Sequence, residues 1–478
     1  MVDNTKFEIA HQAGVSNDIT NSGRLWRDSK ENTFTGQVNI LFPFNMFKQS
    51  QVLSGGIYIQ TRKRDFYSDL LLTNGTGYYS LDNIIAPERY YPGGLSITNY
   101  YANHPGSNAA INPWANYTAS ANIGSSYIKS ETHFTNWLSL DWGFRVESNS
   151  YLVSSTQYLY SVGYRNPQSA ALNINYNINK VNVLPSANLK YQLTHDLQFH
   201  AAYFKTLNRP QLQELSIYKY YDARSFMVKT GNPLLFNSTI NNIDYGASWI
   251  LNSSTNVSVS GFYKKIDQPI ENVVSAYGNG NILSMPHNMP SATVKGLTVA
   301  FNAKLDFIDQ TSWLSNIIVF GNATFLHSRV NGGPLRSSST PYVAPHSLSG
   351  TPNYTFNTGI VIQHPSYPQL TVLYNSTGDY LSAVGSATTP DYRVKGRGQL
   401  DLQLSHKILK SRIEIIAGVN NLLKSAYVEY QDLNGNKKFD QPLTVKNTTG
   451  IYNSGTDNTI INLNTQRTYY FTLSYLFK

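Results

Sequence analysis

The chain has no cysteine in its 478 residues. Disulfides, thiol nucleophiles and cysteine-type zinc sites are therefore excluded. Charge is scarce as well. Asp, Glu, Lys and Arg make up 14%, against roughly a quarter in an ordinary soluble domain. No apolar run reaches the roughly 18 residues of a membrane-crossing helix. The formal charge of +9 is spread without a dense Lys/Arg block. The concentrated basic face that nucleic-acid binding needs is absent, so no nucleic-acid partner is expected. Residues 1–30 carry Asp3, Lys6, Glu8, Asp18, Arg24 and Arg27. They lack the apolar core of a signal peptide. The expectation is a mature form, or a chain whose N-terminal part lies elsewhere.

What is present is aromatic and polar. Aromatics make up 13%, with 35 Tyr against 21 Phe and 6 Trp. Mean hydropathy is only −0.32. Few charges with weak hydropathy suit a transmembrane barrel, in which only alternate residues face lipid. Period-two segments recur. Leu197, Phe199, Ala201 and Tyr203 share one face of a strand, as do Val257, Val259, Gly261 and Tyr263. Leu400, Leu402 and Leu404 repeat the pattern, followed by Ile413, Ile415, Ala417 and Val419. The intervening Ser258, Ser260, Asp401, Gln403 and Glu414 would face a lumen.

Connections alternate between short and long. Tight turns are predicted at 193–196, 251–255, 363–368 and 409–410, with slightly longer ones near 43–52, 130–135 and 308–314. Long loops are predicted near 16–32, 65–117, 148–182, 207–239, 267–294, 329–352, 377–395 and 422–465. Such loops are anomalous in a compact soluble domain and normal at the outer end of a membrane barrel. The count gives roughly sixteen antiparallel strands of about ten to twelve residues, close to the length a tilted strand needs to cross a bilayer. The fold class is therefore all-β, an antiparallel transmembrane β-barrel, read as one domain over 1–478. A β-propeller or sandwich is the soluble alternative, but no blade repeat is visible. Trp114, Trp137, Trp142, Trp249 and Trp313 fall near proposed strand ends, as interfacial anchors do, whereas Trp26 falls in a proposed loop.

The last residues strengthen this reading. Tyr469, Phe471, Leu473, Tyr475 and Phe477 lie two apart on one apolar face. The segment resembles the closing strand of bacterial outer-membrane barrels, which the barrel-assembly machinery reads. Further motifs resemble, in order, the TonB-dependent receptor barrels of the Bacteroidetes type. They are Leu207-Asn-Arg-Pro-Gln-Leu-Gln-Glu-Leu215, Lys229-Thr-Gly-Asn-Pro-Leu234 and Gly261-Phe-Tyr-Lys-Lys-Ile-Asp-Gln-Pro-Ile-Glu271. Lys295–Leu297, Val319–Thr324, Pro352–Asn357, Gly398–Leu402 and Val419–Leu423 continue the series. The resemblance implies an outer-membrane receptor that captures a bulky ligand in outer loops and imports it by energised movement of a plug. It implies contact with outer-membrane lipid, and with the TonB energy-coupling complex only through that plug. Neither plug nor TonB box is found here, and family barrels have about 22 strands. The expectation is an incomplete part of such a barrel, with an open edge between residues 5–15 and 466–477.

Ligand-binding candidates are Tyr78, Tyr79, Arg89, Tyr90, Tyr91, Tyr100 and Tyr101 in the loop 65–117, with Tyr218, Tyr220, Tyr221 and Arg224 as a second group. Tyr faces stack on sugar rings, aromatic chelates or peptides, and the hydroxyl adds a hydrogen bond. Loop packing or an interfacial girdle accounts for the same residues. The ligand class stays open between siderophore, cobalamin-like chelate, glycan and peptide. Asp432, Asn434, Asn436 and Asp440 have the one-three-five-nine spacing of a calcium loop. Lys437 stands where such a loop has Gly, however, and Leu443 where it has a bidentate Glu. An Asx-rich turn is the plainer reading, so no metal site is expected. The histidines are scattered, with His195, His364 and His406 near short turns, and no hydrolase motif or cofactor loop occurs. No cofactor and no enzymatic activity are expected. A passive porin is the alternative function and a barrel hydrolase a more distant one.

Overall fold

The computed structural model describes residues 6–8, 23–72, 78–80, 111–112, 116–158, 171–222, 224–252, 254–277, 281–309, 312–333, 343–364, 366–387, 389–409, 412–443 and 455–477. Among these there is no α-helix, and two short 3-10 turns lie at 305–307 and 313–316. The principal sheet has sixteen strands, fifteen of them in one continuous path in chain order. The path runs through Gly23–Met46, Gln49–Leu72, Asn116–His133, Leu138–Tyr158, Ala171–Gln192, Leu197–Asn208, Ser238–Asn252, Thr255–Asp267, Ser291–Lys304, Ile317–Asn331, Tyr354–Ile362, Gln369–Thr377, Arg397–Ile408, Ile413–Asn420 and Thr468–Tyr475. Every neighbouring pair in it is antiparallel. Among the described residues the first and last strands of the path do not pair with each other. Lys6–Glu8 pairs with Tyr78–Ser80 instead, and 9–15 lie outside the described residues.

Alternation decides which face looks outward. Val259 and Tyr263 are exposed, whereas Ser258 and Ser260 on the other face are half-buried. On Gly23–Met46 the outward row is Phe34, Val38, Ile40 and Phe42. Its inward row includes Gln37 and Asn39, and Asn39 accepts hydrogen bonds from Gln37 and from the Tyr127 hydroxyl. On the closing strand Tyr469, Phe471, Leu473 and Tyr475 are all exposed and lie opposite Val419, Ala417, Ile415 and Ile413. A contiguous belt of exposed aromatic and branched residues is untenable in water and is the lipid-facing surface of a barrel wall.

The short connections gather at one end. Phe47 and Lys48, with φ of 58° and 59°, form a two-residue turn of left-handed residues, the geometry whose twist matches the right-handed twist of the flanking strands. Thr135 and Thr194 perform the same task in two later turns, each accepting from the N–H three residues on, at 3.0 and 3.1 Å. The Leu476 N–H donates to the Arg412 carbonyl, so the closing strand also finishes at this end. Trp137, Trp249 and Trp313 stand here with exposed rings, and Trp142 lies further along the strand Leu138–Tyr158. Trp114 and the Trp26 ring lie outside the described residues.

Strand length departs from expectation. The backbone of Trp26 and most of 16–32 belongs to Gly23–Met46, and 65–72 and much of 148–182 also lie in strands. A 24-residue strand spans about 80 Å at ~3.3 Å per residue, over twice what a bilayer crossing needs. Beyond the lipid both faces of the wall meet water. Apolar alternation then stops while cross-strand pairing continues, as in Ser150↔Asn179 and Ser154↔Asn175. Pairing without alternation is invisible to a period-two reading.

The long connections are structured too. Lys219–Asp222, Met227–Thr230, Asn281–Asn288 and Ile270–Tyr277 form one four-stranded rim sheet. Tyr380–Ala383, Tyr392–Val394, Tyr427–Asp432 and Asp457–Leu463 form another. The Val274 N–H donates to the Val384 carbonyl at 2.8 Å, and the Val384 N–H to the Asn272 carbonyl at 3.0 Å, joining the two. Buried Met227, Val274, Ala383 and Tyr392 pack across the join.

Candidate functional site

The connection between Leu197–Asn208 and Ser238–Asn252 turns into the lumen. Leu212, Leu215, Tyr218 and Leu235, each 2% exposed or less, pack on Tyr117, Ala119, Ala121, Tyr151 and Val153 of the inner wall. Small Ala119 and Ala121 leave room for this strap. Burial of each large side chain contributes about 1.5–3 kcal/mol. Polar contacts fix its register. The Ile217 N–H donates to Ser155 Oγ at 3.3 Å, and the Tyr176 hydroxyl donates to the Leu235 carbonyl at 3.3 Å. Arg209, beside the strand-ending Pro210, and Arg145 both donate to buried Glu147.

The Gly-Asn pair at 231–232 closes the strap on itself. A Cβ at Gly231 would meet the carbonyl oxygens of Ser216, Glu214 and Gln213, the last two at 2.6 and 2.7 Å. Asn232 donates its backbone N–H to the Glu214 carbonyl at 2.6 Å and its side-chain amide to the Pro286 carbonyl at 2.9 Å. Its Oδ1 accepts from the Leu234 N–H.

Above the strap lies a cavity of about 530 Å³ between the two rim sheets. Tyr220, Asp222, Arg224 and Lys229 line it from the strap, and Tyr427 and Glu429 from the opposite sheet. The Lys229 ammonium donates to Asp222 Oδ2 at 2.5 Å, and the Ser225 hydroxyl does so at 2.9 Å. Burial works against the Asp222 carboxylate, but Lys229, Ser225 and the Arg224 backbone N–H outweigh it and hold its pKa below the ordinary value. Glu429 accepts from the Ser382 hydroxyl at 2.5 Å. The Arg224 side chain is exposed. The cavity thus offers both signs of charge, hydroxyls and aromatic edges. It suits a polar, multiply hydrogen-bonding ligand.

The structure divides the aromatic candidates. Tyr218 is buried, stacked on Tyr220 at 5.2 Å and set against Phe66 at 4.7 Å. Tyr220 has the Arg27 guanidinium over its ring at 4.5 Å. Tyr218, Tyr220 and Arg224 therefore come together at one cavity. Tyr221, Tyr78 and Tyr79 have strand backbones, with side chains outside the described residues, where Arg89, Tyr90, Tyr91, Tyr100 and Tyr101 also fall. Sequence reasoning missed Asp222, Lys229, Tyr427 and Glu429. Only Asp222 and Lys229 flank a motif that could have drawn attention.

A second polar cluster ties the rim to the wall. Fully buried Glu271 accepts from His346 Nε2 at 2.8 Å, from the Ser349 N–H at 2.8 Å and from the Ser349 hydroxyl at 2.7 Å. His346 Nδ1 lies 2.7 Å from the Ala344 carbonyl. Both ring nitrogens face acceptors, an arrangement that favours the doubly protonated ring beside a carboxylate. Burial disfavours that charge, but Glu271 and the Ala344 carbonyl prevail and raise the His346 pKa. His287, buried without such a partner charge, is pushed down to about 4.

Asp432, Asn434 and Asn436 cap N–H groups of their own loop, at Gly435 and Lys437, Asn436, and Lys438 respectively. Among the described residues no three His, Asp or Glu side chains gather in metal-binding geometry.

The TonB dependent receptor-like, beta-barrel family matches residues 3–422. No curated protein matches the chain. Similar solved structures include the closed form of the ferric-catecholate import receptor Fiu from E. coli K12, with a TM-score of 0.58 and 16% identity over 84% of this chain and 52% of that one. The ferric yersiniabactin uptake receptor FyuA from Yersinia pestis has a TM-score of 0.56 and 11% identity over 95% of this chain and 55% of that one. The siderophore receptor PiuA from Acinetobacter baumannii has a TM-score of 0.55 and 13% identity over 84% and 53%. At such identities the likeness is one of fold, and the chain spans about half the length of each. A wall with an outward apolar belt, short turns at one end, structured long loops at the other and a match over most of its length leave one assignment: the chain belongs to the TonB-dependent receptor β-barrel family of the bacterial outer membrane.

Proposed function

We propose that this chain forms the barrel of a TonB-dependent importer and that the rim cavity captures its ligand before energised uptake. The observation that carries the reading is the cavity of about 530 Å³ lined by Tyr220, Arg224, Lys229 and Glu429 above a lumen occupied by the strap. Fiu, FyuA and PiuA are named as receptors for ferric chelates or siderophores. A polar metal chelate is accordingly the first ligand class to try, with glycan and peptide after it. Energy coupling would act through a plug and the TonB complex, lipid would cover the belt, and the closing strand would engage the assembly machinery. The barrel wall itself performs no chemistry in this scheme.

Cells expressing the receptor should accumulate labelled ligand only when the energy-coupling complex is intact. Accumulation that survives its removal would favour the passive channel. Arg224→Ala should weaken capture about tenfold, the loss of one charge-assisted hydrogen bond.

A further inference from the structure

We propose that the loop Asp432–Asp440 and Asp457 of the adjoining strand together form a calcium site in the outer rim. Asp432 ends one rim strand, Asp457 begins its neighbour, and the two are directly paired. Paired residues project from the same face of a sheet. Both are buried, with Asp432 8% and Asp457 0% exposed. Asp457 Oδ2 accepts from the Asp440 N–H at 2.8 Å and the Gln441 N–H at 2.5 Å. Asp457 Oδ1 is buried with no hydrogen-bond partner. Among the described residues no Lys, Arg or His forms an ion pair with either carboxylate. Two facing carboxylates repel, and a buried, uncompensated one is costly. A cation at Asp457 Oδ1 removes both penalties.

The loop supplies the remaining oxygens. Asp432, Asn434 and Asn436 occupy the first, third and fifth places of a calcium loop, with the Lys438 carbonyl at the seventh. In such loops a side-chain oxygen that caps an N–H keeps a second lone pair for the ion. Here the capping oxygens are Asp432 Oδ1 and Oδ2, towards Gly435 and Lys437, and the Oδ1 atoms of Asn434 and Asn436. The Asn436 amide donates to Asp440 at 3.1 Å. Lys437, at the sixth place, has φ of 64°. The backbone therefore makes the sharp turn for which calcium loops use Gly, though the residue is Lys. What linear spacing lacks is the twelfth-place carboxylate, since Leu443 stands there. The fold brings Asp457 in from the next strand. All donors are oxygen, which selects a hard cation. Carboxylates are few, which places the affinity near the roughly 10⁻⁴–10⁻³ M of extracellular calcium modules.

The test uses the full chain folded in detergent and stripped with EDTA. Thermal unfolding is followed with added CaCl2 and, at equal ionic strength, MgCl2. Calcium should raise the Tm, and magnesium should not. Asp457→Asn keeps an acceptor for the Asp440 and Gln441 N–H groups while removing the charge. It should fold without calcium and lose the calcium shift. Asn434→Ala, on an exposed loop position, should weaken calcium binding about tenfold by titration calorimetry, and it serves where Asp457→Asn fails to fold. No calcium-specific shift in the parent chain, or a shift unchanged in these variants, overturns the proposal.

Discussion

Tyr470 lies over Gly418, its directly paired neighbour, so closely that a Cβ on Gly418 would overlap the ring. The hydroxyl then reaches across a further strand to donate to Gln403 Oε1 at 2.9 Å. The closing strand is thus tied to two strands by one side chain. Tyr245 over Gly261, Phe262 over Gly296 and Phe320 over Gly359 repeat the arrangement in register. Gly418→Val should displace the ring and cost about 1–3 kcal/mol, the usual range for overpacking. Urea unfolding in detergent measures it. Gly124, with no heavy atom within 4 Å of an added Cβ, is the control. Gly124→Ala should be neutral, and equal effects at both sites would refute the ring-cover explanation.

The strap depends on Gly231 through close backbone approach. Gly231→Ala should release the segment 209–237 while leaving the wall paired. Limited proteolysis should then cut within the strap, and the wall fragments should keep their heat-modifiable migration on gels. An unchanged digestion pattern would show that the three carbonyls can yield.

Rim stability should depend on pH through His346. Its pKa is raised in the fold by Glu271, so the stabilisation is complete below the unfolded value near 6.5. It is lost as pH rises through the folded value. Hydrogen-exchange protection at 270–277 and 343–350, taken relative to the intrinsic base-catalysed rate, should therefore fall as pH climbs from 6 into the alkaline range. Glu271→Gln should flatten that profile. A profile identical in both proteins would separate the pair from rim stability.

Tyr218 and Arg224 were equal candidates in the sequence, and the structure separates them. Tyr218 is buried against Phe66 and Tyr220, whereas Arg224 is exposed at the cavity. Tyr218→Ala should cost about 3–5 kcal/mol of stability, as large aromatic truncations do. Arg224→Ala should leave the thermal transition unmoved and lower ligand affinity. Melting curves beside ligand titrations check both, and a reversed pattern would place Tyr218 in the ligand's path.

The belt was legible because lipid imposes a rule on every second residue. Val257, Val259 and Tyr263 could be assigned outward from spacing alone, as could Tyr469, Phe471, Leu473 and Tyr475. The short turns were legible because they interrupt that rule at regular intervals. The rim was not. At Lys219–Asp222 or Tyr427–Asp432 both faces meet polar surroundings, so pairing leaves no period in the residue types.

The sequence by itself determined the class of wall and the direction each of its faces looks, since both follow from local alternation in a solvent without hydrogen bonds. Tertiary structure alone decided how far the strands run beyond the membrane, that the strap fills part of the lumen, and which charges share a cavity. Lys229 and Glu429 line the same cavity because the two rim sheets join, and Asp457 faces Asp432 because strands remote in sequence are paired. Contacts between distant segments depend on register and loop path, and no local pattern of residues records either.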